Sequence, residues 1–214
     1  MSGAGPIDKE FQRARTRQQR AYREGEIRSA ARRLLAGNGI DDVTLRAIAV
    51  EAGLAPSNVL RHVGSREVLL LDLMDEEYRA WLAELSHRTA DLPSAETAAL
   101  ASLISETLAL RPILQCLIEV SPQLLRTLPA TRAPNRSREQ GLRNGAVLAD
   151  IVEAVLETHF SAVDRIYLVA GLHAVVTATA VWSRQGVFPM SAPVATCDLV
   201  QILLDGLLAR ADRG

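Results

Sequence analysis

Apolar residues recur along the first third of the chain with a helical period. Ile27, Ala30, Ala31, Leu34 and Leu35 fall at i, i+3, i+4, i+7 and i+8, the spacing of one helix face, and Gly37, Asn38 and Gly39 supply residues that end such a helix. The pattern predicts a helix from about Arg15 to this break. Thr44 then precedes Leu45, Ile48 and Ala49, so its hydroxyl is expected to satisfy a free backbone N–H at the start of a short second helix. Gly53 ends that helix. Pro56 sits where a third would start, a position where its missing N–H costs little and its fixed φ suits the first turn. Val59 and Val63 turn inward at i and i+4, Gly64 breaks the run, and Ser65 is placed to cap a fourth helix carrying Leu70, Met74, Trp81 and Leu85. Pro93 and Ser94 are expected to end it. Beyond, the same period predicts helices over about 95–109, 112–128, 136–158, 162–184 and 195–211, with Pro122 as a candidate kink and 131–138 and 185–192 as loops. The fold class that follows is all-α, with about nine helices.

Composition adds class and compartment. The 214 residues are 48% hydrophobic and 4% aromatic, enough apolar surface for a sizeable core in one large domain or two small ones. Residues 1–14 are polar and carry Gly3, Gly5 and Pro6, so they read as a disordered arm. Met1 is followed by no apolar stretch of signal-peptide length, and the expected location is cytoplasmic. The uncharged run 166–182 is at the short limit for a spanning helix and contains His173, Thr177 and Thr179. It reads as a buried helix, in the core or at an interface. Cys116 and Cys197 form no ligand spacing, so neither a zinc site nor a disulfide framework is supported, and no cofactor is expected. HExxH, GxSxG, P-loop and dinucleotide fingerprints are all missing, which argues against an enzyme.

The balance of 24 Lys+Arg against 25 Asp+Glu hides an asymmetry. Residues 1–70 hold 12 cations and 8 acids, the remainder 12 and 17. Between Lys9 and Arg33 lie nine cations and three acids. Such a cluster is either a phosphate-binding arm or a solvated helical face, and charge alone does not choose between them.

The segment 44–63 favours the phosphate-binding reading. A short capped helix, a glycine at the turn and a second short helix make a helix-turn-helix, whose second helix enters the DNA major groove. With Val59 and Val63 inward, Ser57, Asn58, Arg61 and His62 occupy the exposed face. Asn and Arg can each make two hydrogen bonds to a base edge, adenine and guanine respectively. Arg46 on the first helix and Pro56 at the start of the second complete the DNA-facing candidates.

From about Tyr22 to Leu70 the chain resembles the DNA-binding domain of the tetracycline-repressor (TetR) family. The residues that carry the resemblance are Ile27, Ala30-Ala31, Leu34-Leu35, Gly39, Thr44, Ile48-Ala49, Ala52-Gly53-Leu54, Val59, His62-Val63 and Ser65-Arg66-Glu67. It implies three domain segments: a basic arm at 1–14, an N-terminal three-helix DNA-binding domain at 15–66, and a helical effector-binding and dimerisation domain at 67–214. Thr44 matches a helix-capping threonine that also touches phosphate. Arg66 matches a basic residue that grips the DNA backbone, although pairing with a nearby acid is its plainer alternative. There are two departures. Leu60 stands where the family most often has a phosphate-binding tyrosine, and Ala55 where a serine often caps the recognition helix.

For the rest of the chain, the resemblance implies a homodimer on a palindromic operator, built through two helices of each protomer, and a small-molecule effector. The apolar surface of 166–182 and of the last helix suits that dimer. His173, Thr177 and Trp182 fall near one stripe, and Phe160, Tyr167 and Cys116 are further pocket candidates; a core or interface role is the alternative for each. The function expected is a dimeric repressor released by an effector, the alternatives being an activator, a regulator without ligand, or a helical interaction module.

Overall fold

The structure, a computed structural model, describes residues 6–90, 92, 96–128, 133–187 and 189–213. Among them the backbone forms nine α-helices and no strand: α1 (Pro6–Asn38), α2 (Leu45–Glu51), α3 (Pro56–Val63), α4 (Arg66–Thr89), α5 (Thr97–Ala109), α6 (Pro112–Thr127), α7 (Ala133–Leu156), α8 (Ala162–Arg184) and α9 (Ala192–Ala211). The chain divides into two compact units, Met1–Leu69 and Leu70–Gly214.

In the first unit the later turns of α1 pack on α2 and α3. Ile27, Ala30 and Ala31 of α1, Ile48 and Ala49 of α2 and Val59 of α3 close over Val43, and all are fully buried. This is the apolar periodicity of the sequence turned inward. The caps act as expected. Ala47 N–H donates to Thr44 Oγ1 at 3.1 Å, and Val68 N–H to Ser65 Oγ at 3.2 Å. Ala55 offers α3 no side-chain cap, and Pro56 opens that helix instead. Gly53 (φ 64°) and Gly64 (φ 79°) take the left-handed backbone that the turns before and after α3 require.

Several boundaries differ from those the sequence pattern predicts. α1 begins at Pro6, so residues 6–14, read as part of a disordered arm, are helical; residues 1–5 lie outside the described residues. Pro6 can open a helix because its N–H is not needed there, and the polar stretch that follows is rich in the good helix formers Arg, Gln, Glu and Lys. α7 begins at Ala133, which takes 133–138 out of the expected loop; Pro134 falls in its first turn, where no N–H is missed. Pro93 and Ser94, expected to end α4, lie outside the described residues; α4 ends at Thr89.

In the second unit α5 and α8 pack along α9, and α6 and α7 along α8. The core is built on Trp81, whose ring meets Tyr78 edge-on at 5.2 Å and whose Nε1 donates to Thr107 Oγ1 at 3.0 Å. Leu100, Ile104, Leu114, Leu148 and Leu204 surround them. Polar clamps tie the layers. Asp75 of α4 accepts from Asn144 Nδ2 of α7 at 2.9 Å. Glu153 of α7 accepts from Arg165 of α8 and from Phe160 N–H, while Asp164 accepts from Ser161 Oγ and from Arg210 Nε of α9, each at 2.7 Å. Burial would raise the Glu153 carboxyl, but the Arg165 and Phe160 hydrogen bonds overcome it and hold it below the usual carboxylate range.

α8, expected as a buried helix in the core or at an interface, buries the face of Leu168, Leu172, Val176 and Thr179 within the protomer and leaves Val163, Ile166, Tyr167 and Trp182 at the surface. The reason is geometric: α6, α7 and α9 together cover one side of it. α9 likewise exposes Val194 and Ile202. Both helices are long and apolar enough to cross a membrane. α9, however, carries Asp198 and Asp205 along its length, and carboxylates are costly in a bilayer core. The two helices approach closely at Gly171, where an added Cβ would stand 2.8 Å from both Leu203 methyl carbons.

Candidate functional site

The recognition helix α3 is held from beneath by Val59 and presents its other side outward. Ser57 and Arg61 are exposed, and Asn58 and His62 half-buried. Arg61 Nη2 donates to Asn58 Oδ1 at 3.1 Å, so the two base-reading candidates are bonded to one another one turn apart. Thr44, Arg46 and Pro56 are exposed as well. Leu60, at the position of the missing tyrosine, is 47% exposed.

Facing α3 is a stretch of α1 that the sequence reading had seen only as charge. Gln18, Gln19, Tyr22 and Arg23 form one wall of a groove of about 940 Å³, Asn58, Arg61 and His62 the other, and Leu54 also lines it. The His62 Nδ1 is buried there without a hydrogen-bond partner among the described residues. Within α1, Arg20 pairs with Glu24 at 2.9 Å, and Arg33 with Glu51 of α2 at 2.6 Å. Part of the cation run is thus paired, and both Arg20 and Arg23 are exposed on the groove.

Arg66 bonds to backbone carbonyls, not to an acid, among the described residues. Its Nη2 donates to the Ile40 carbonyl at 2.6 Å and its Nε to the Val43 carbonyl at 2.5 Å. The guanidinium thus anchors the loop between α1 and α2, the loop that sets Thr44 at the start of α2.

A second concavity, of about 560 Å³, lies between α6 and α8 of the second unit. His173, Thr177 and Trp182 line it. The other pocket candidates do not. Phe160 is buried in the core, Tyr167 lies on the surface of α8 beneath the Arg210 guanidinium, 5.5 Å from its ring centre, and Cys116 is half-buried on α6 away from the lining. The lining that the sequence reading missed includes Ile118 and Pro122 of α6 and Ala170, Ala174 and Ala178 of α8. The alanine spacing of i, i+4, i+8 was visible, but what faced it was not. Burial lowers the His173 imidazole below its ordinary value, so it is neutral at pH 7.

Residues 27–73 match the family model described as bacterial regulatory proteins, tetR family. The match spans the helix-turn-helix with Thr44, Asn58, Arg61 and Arg66. Similar solved structures cover both units of the chain. FadR of Thermus thermophilus, a TetR-family transcriptional repressor in complex with lauroyl-CoA, is 16% identical with a TM-score of 0.59, covering 86% of this chain and 94% of that one. The fatty acid degradation regulator FadR of Bacillus halodurans is 18% identical with a TM-score of 0.56, over 86% and 98% of the two chains. A TetR-family transcription regulator of Marinobacter aquaeolei VT8 is 17% identical with a TM-score of 0.55, over 87% and 97%. At these identities the likeness is one of fold. No curated protein sequence matches the chain.

Proposed function

We propose that the protein is a DNA-binding transcriptional repressor that acts as a homodimer in the cytoplasm and is released from a palindromic operator by a small molecule. The observation that carries the reading is the groove where α1 and α3 bring Arg23, Asn58, Arg61 and His62 together beside the exposed Thr44 and Arg46. Cations supply phosphate affinity by displacing counterions, while the amide and guanidinium of α3 supply base discrimination.

The exposed apolar stripes of α8 and α9 support dimerisation. Val163, Ile166 and Tyr167 on one helix and Val194 and Ile202 on the other are large apolar side chains left exposed on two helices packed side by side. Two helices from each protomer would bury it in a four-helix bundle, and a two-fold dimer demands half-sites about 34 Å apart or a multiple of this. The lauroyl-CoA bound by the Thermus relative supports a small-molecule effector for the second unit. An effector would act by favouring a dimer arrangement in which the two recognition helices no longer reach successive major grooves.

A gel-shift titration against DNA upstream of the gene tests the reading. Specific binding whose affinity falls steeply with salt is expected; folded protein that binds no such DNA specifically would overturn it. Promoter fusions in a deletion strain should show derepression.

A further inference from the structure

The cavity between α6 and α8 has a chemistry that narrows what can fill it. Its α8 wall is the alanine column Ala170, Ala174 and Ala178, three methyl groups where larger side chains would close the gap. The space left, about 560 Å³, is in the range of small-molecule sites. No Lys, Arg, Asp or Glu is among its lining residues in the described part of the chain. Arg184, two residues beyond Trp182, spends its guanidinium on Glu119 of α6, with contacts of 3.1 and 2.5 Å.

The polar atoms of the cavity are not equally available. Pro122 has no N–H, so the Ile118 carbonyl lacks its helical donor, and Ser121 Oγ donates to that carbonyl at 2.9 Å instead. Ser121 is therefore engaged. His173 Nε2, by contrast, is buried with no hydrogen-bond partner among the described residues. Its ring lies 5.7 Å from that of Tyr78, whose hydroxyl is also buried and without a partner among them. Buried polar atoms in native proteins are almost always satisfied, so an unmet one on a side chain that lines an apolar cavity points to a ligand group. A neutral imidazole offers one donor and one acceptor and no charge.

We propose that this cavity takes an uncharged, mainly apolar small molecule carrying one hydroxyl or carbonyl group, which hydrogen-bonds to His173. The proposal rests on the reading of the second unit as effector-binding, and adds the class of molecule. A carboxylate would lose its hydration here and meet no cation.

Calorimetric titration of the full-length protein at pH 7.5 tests it, with decan-1-ol and decan-2-one as neutral probes and decanoate and lauroyl-CoA as charged ones. The neutral probes should bind at least tenfold more tightly than decanoate. Ala174→Trp should abolish their binding with helicity by circular dichroism unchanged, Ala178→Leu serving as a second, milder filling. His173→Phe should weaken them at least fivefold. Tighter binding of decanoate or lauroyl-CoA, or neutral binding that both fillings leave intact, overturns the proposal. Gel shifts with the same probes separate the two readings. Neutral probes that bind the cavity without releasing DNA refute the effector role and leave the site standing. Release of DNA by lauroyl-CoA, with no neutral binding, does the reverse.

Discussion

The Arg66 guanidinium at the start of α4 donates to the backbone carbonyl of Ile40, 26 residues earlier, at 2.6 Å. With its second bond to Val43 it ties the loop before α2 to the helix after α3, so the helix-turn-helix is closed by a side chain as well as by its core. Removing a charged donor leaves two carbonyls to find other partners. Arg66→Ala should destabilise the first unit by about 2 kcal/mol. Arg66→Lys should recover roughly half of this at most, because an ammonium cannot reproduce the planar fork. Thermal unfolding of both variants, followed by circular dichroism, checks the prediction. Equal stability of Arg66→Ala and the parent would refute it.

Arg61 and Arg23 line the same groove but are expected to fail differently. Arg61→Ala should cost about 1–3 kcal/mol on the operator and relax discrimination at one base pair of each half-site. Arg23→Ala should weaken all sequences alike and lower the slope of log K against log salt by about one per protomer. A titration of operator and scrambled DNA at several salt concentrations distinguishes the two.

Leu60 leaves an apolar side chain exposed where related sequences most often place a phosphate-binding tyrosine. Leu60→Tyr should tighten DNA binding by about 1 kcal/mol, the net worth of one hydrogen bond. Because a neutral hydroxyl displaces no counterion, the salt slope should stay where it is. A steeper slope would mean that the gain came from elsewhere.

Ile202 is 66% exposed on α9. Ile202→Arg removes nothing from the core, so the protomer should keep its helicity. A charge placed in a dimer interface, however, should convert the protein to monomers and abolish cooperative operator binding. Analytical ultracentrifugation decides: a dimer unchanged by this substitution would place the contact away from that face.

Glu153 has a carboxyl held below its ordinary range in the folded chain by Arg165 and the Phe160 N–H, against the opposing effect of burial. The folded state therefore binds its proton less readily than the unfolded state. The stabilisation is present above the unfolded value near 4.5 and is lost as pH falls through the lower folded value. Glu153→Gln should lower stability at pH 7 and flatten its decline below pH 4.5, measured by urea unfolding across pH 3–7.

Much of this fold was legible because it is local. The face of Ile27, Ala30 and Ala31, the Thr44 and Ser65 caps and the glycines at 53 and 64 involve residues within a turn of one another, and they place α2 and α3 within a residue or so of their observed ends. The arm at 6–14 was misread because Pro6 and polarity suggest disorder as readily as a solvated helix start. The base-reading candidates on α3 were also legible, since one inward face determines the outward one. The opposing wall from α1 was not, because its distance from α3 depends on how two helices cross.

The sequence by itself determined where helices begin and end and which of their faces are apolar, because capping, glycine conformation and the 3.6-residue period act between near neighbours. Only the tertiary structure decided what those faces meet. It gave Arg66 two carbonyls in place of an acid, left α8 half uncovered, and set three alanines opposite α6 so that a cavity remains beside His173. These outcomes depend on contacts between residues far apart in the chain, and no local spacing encodes them.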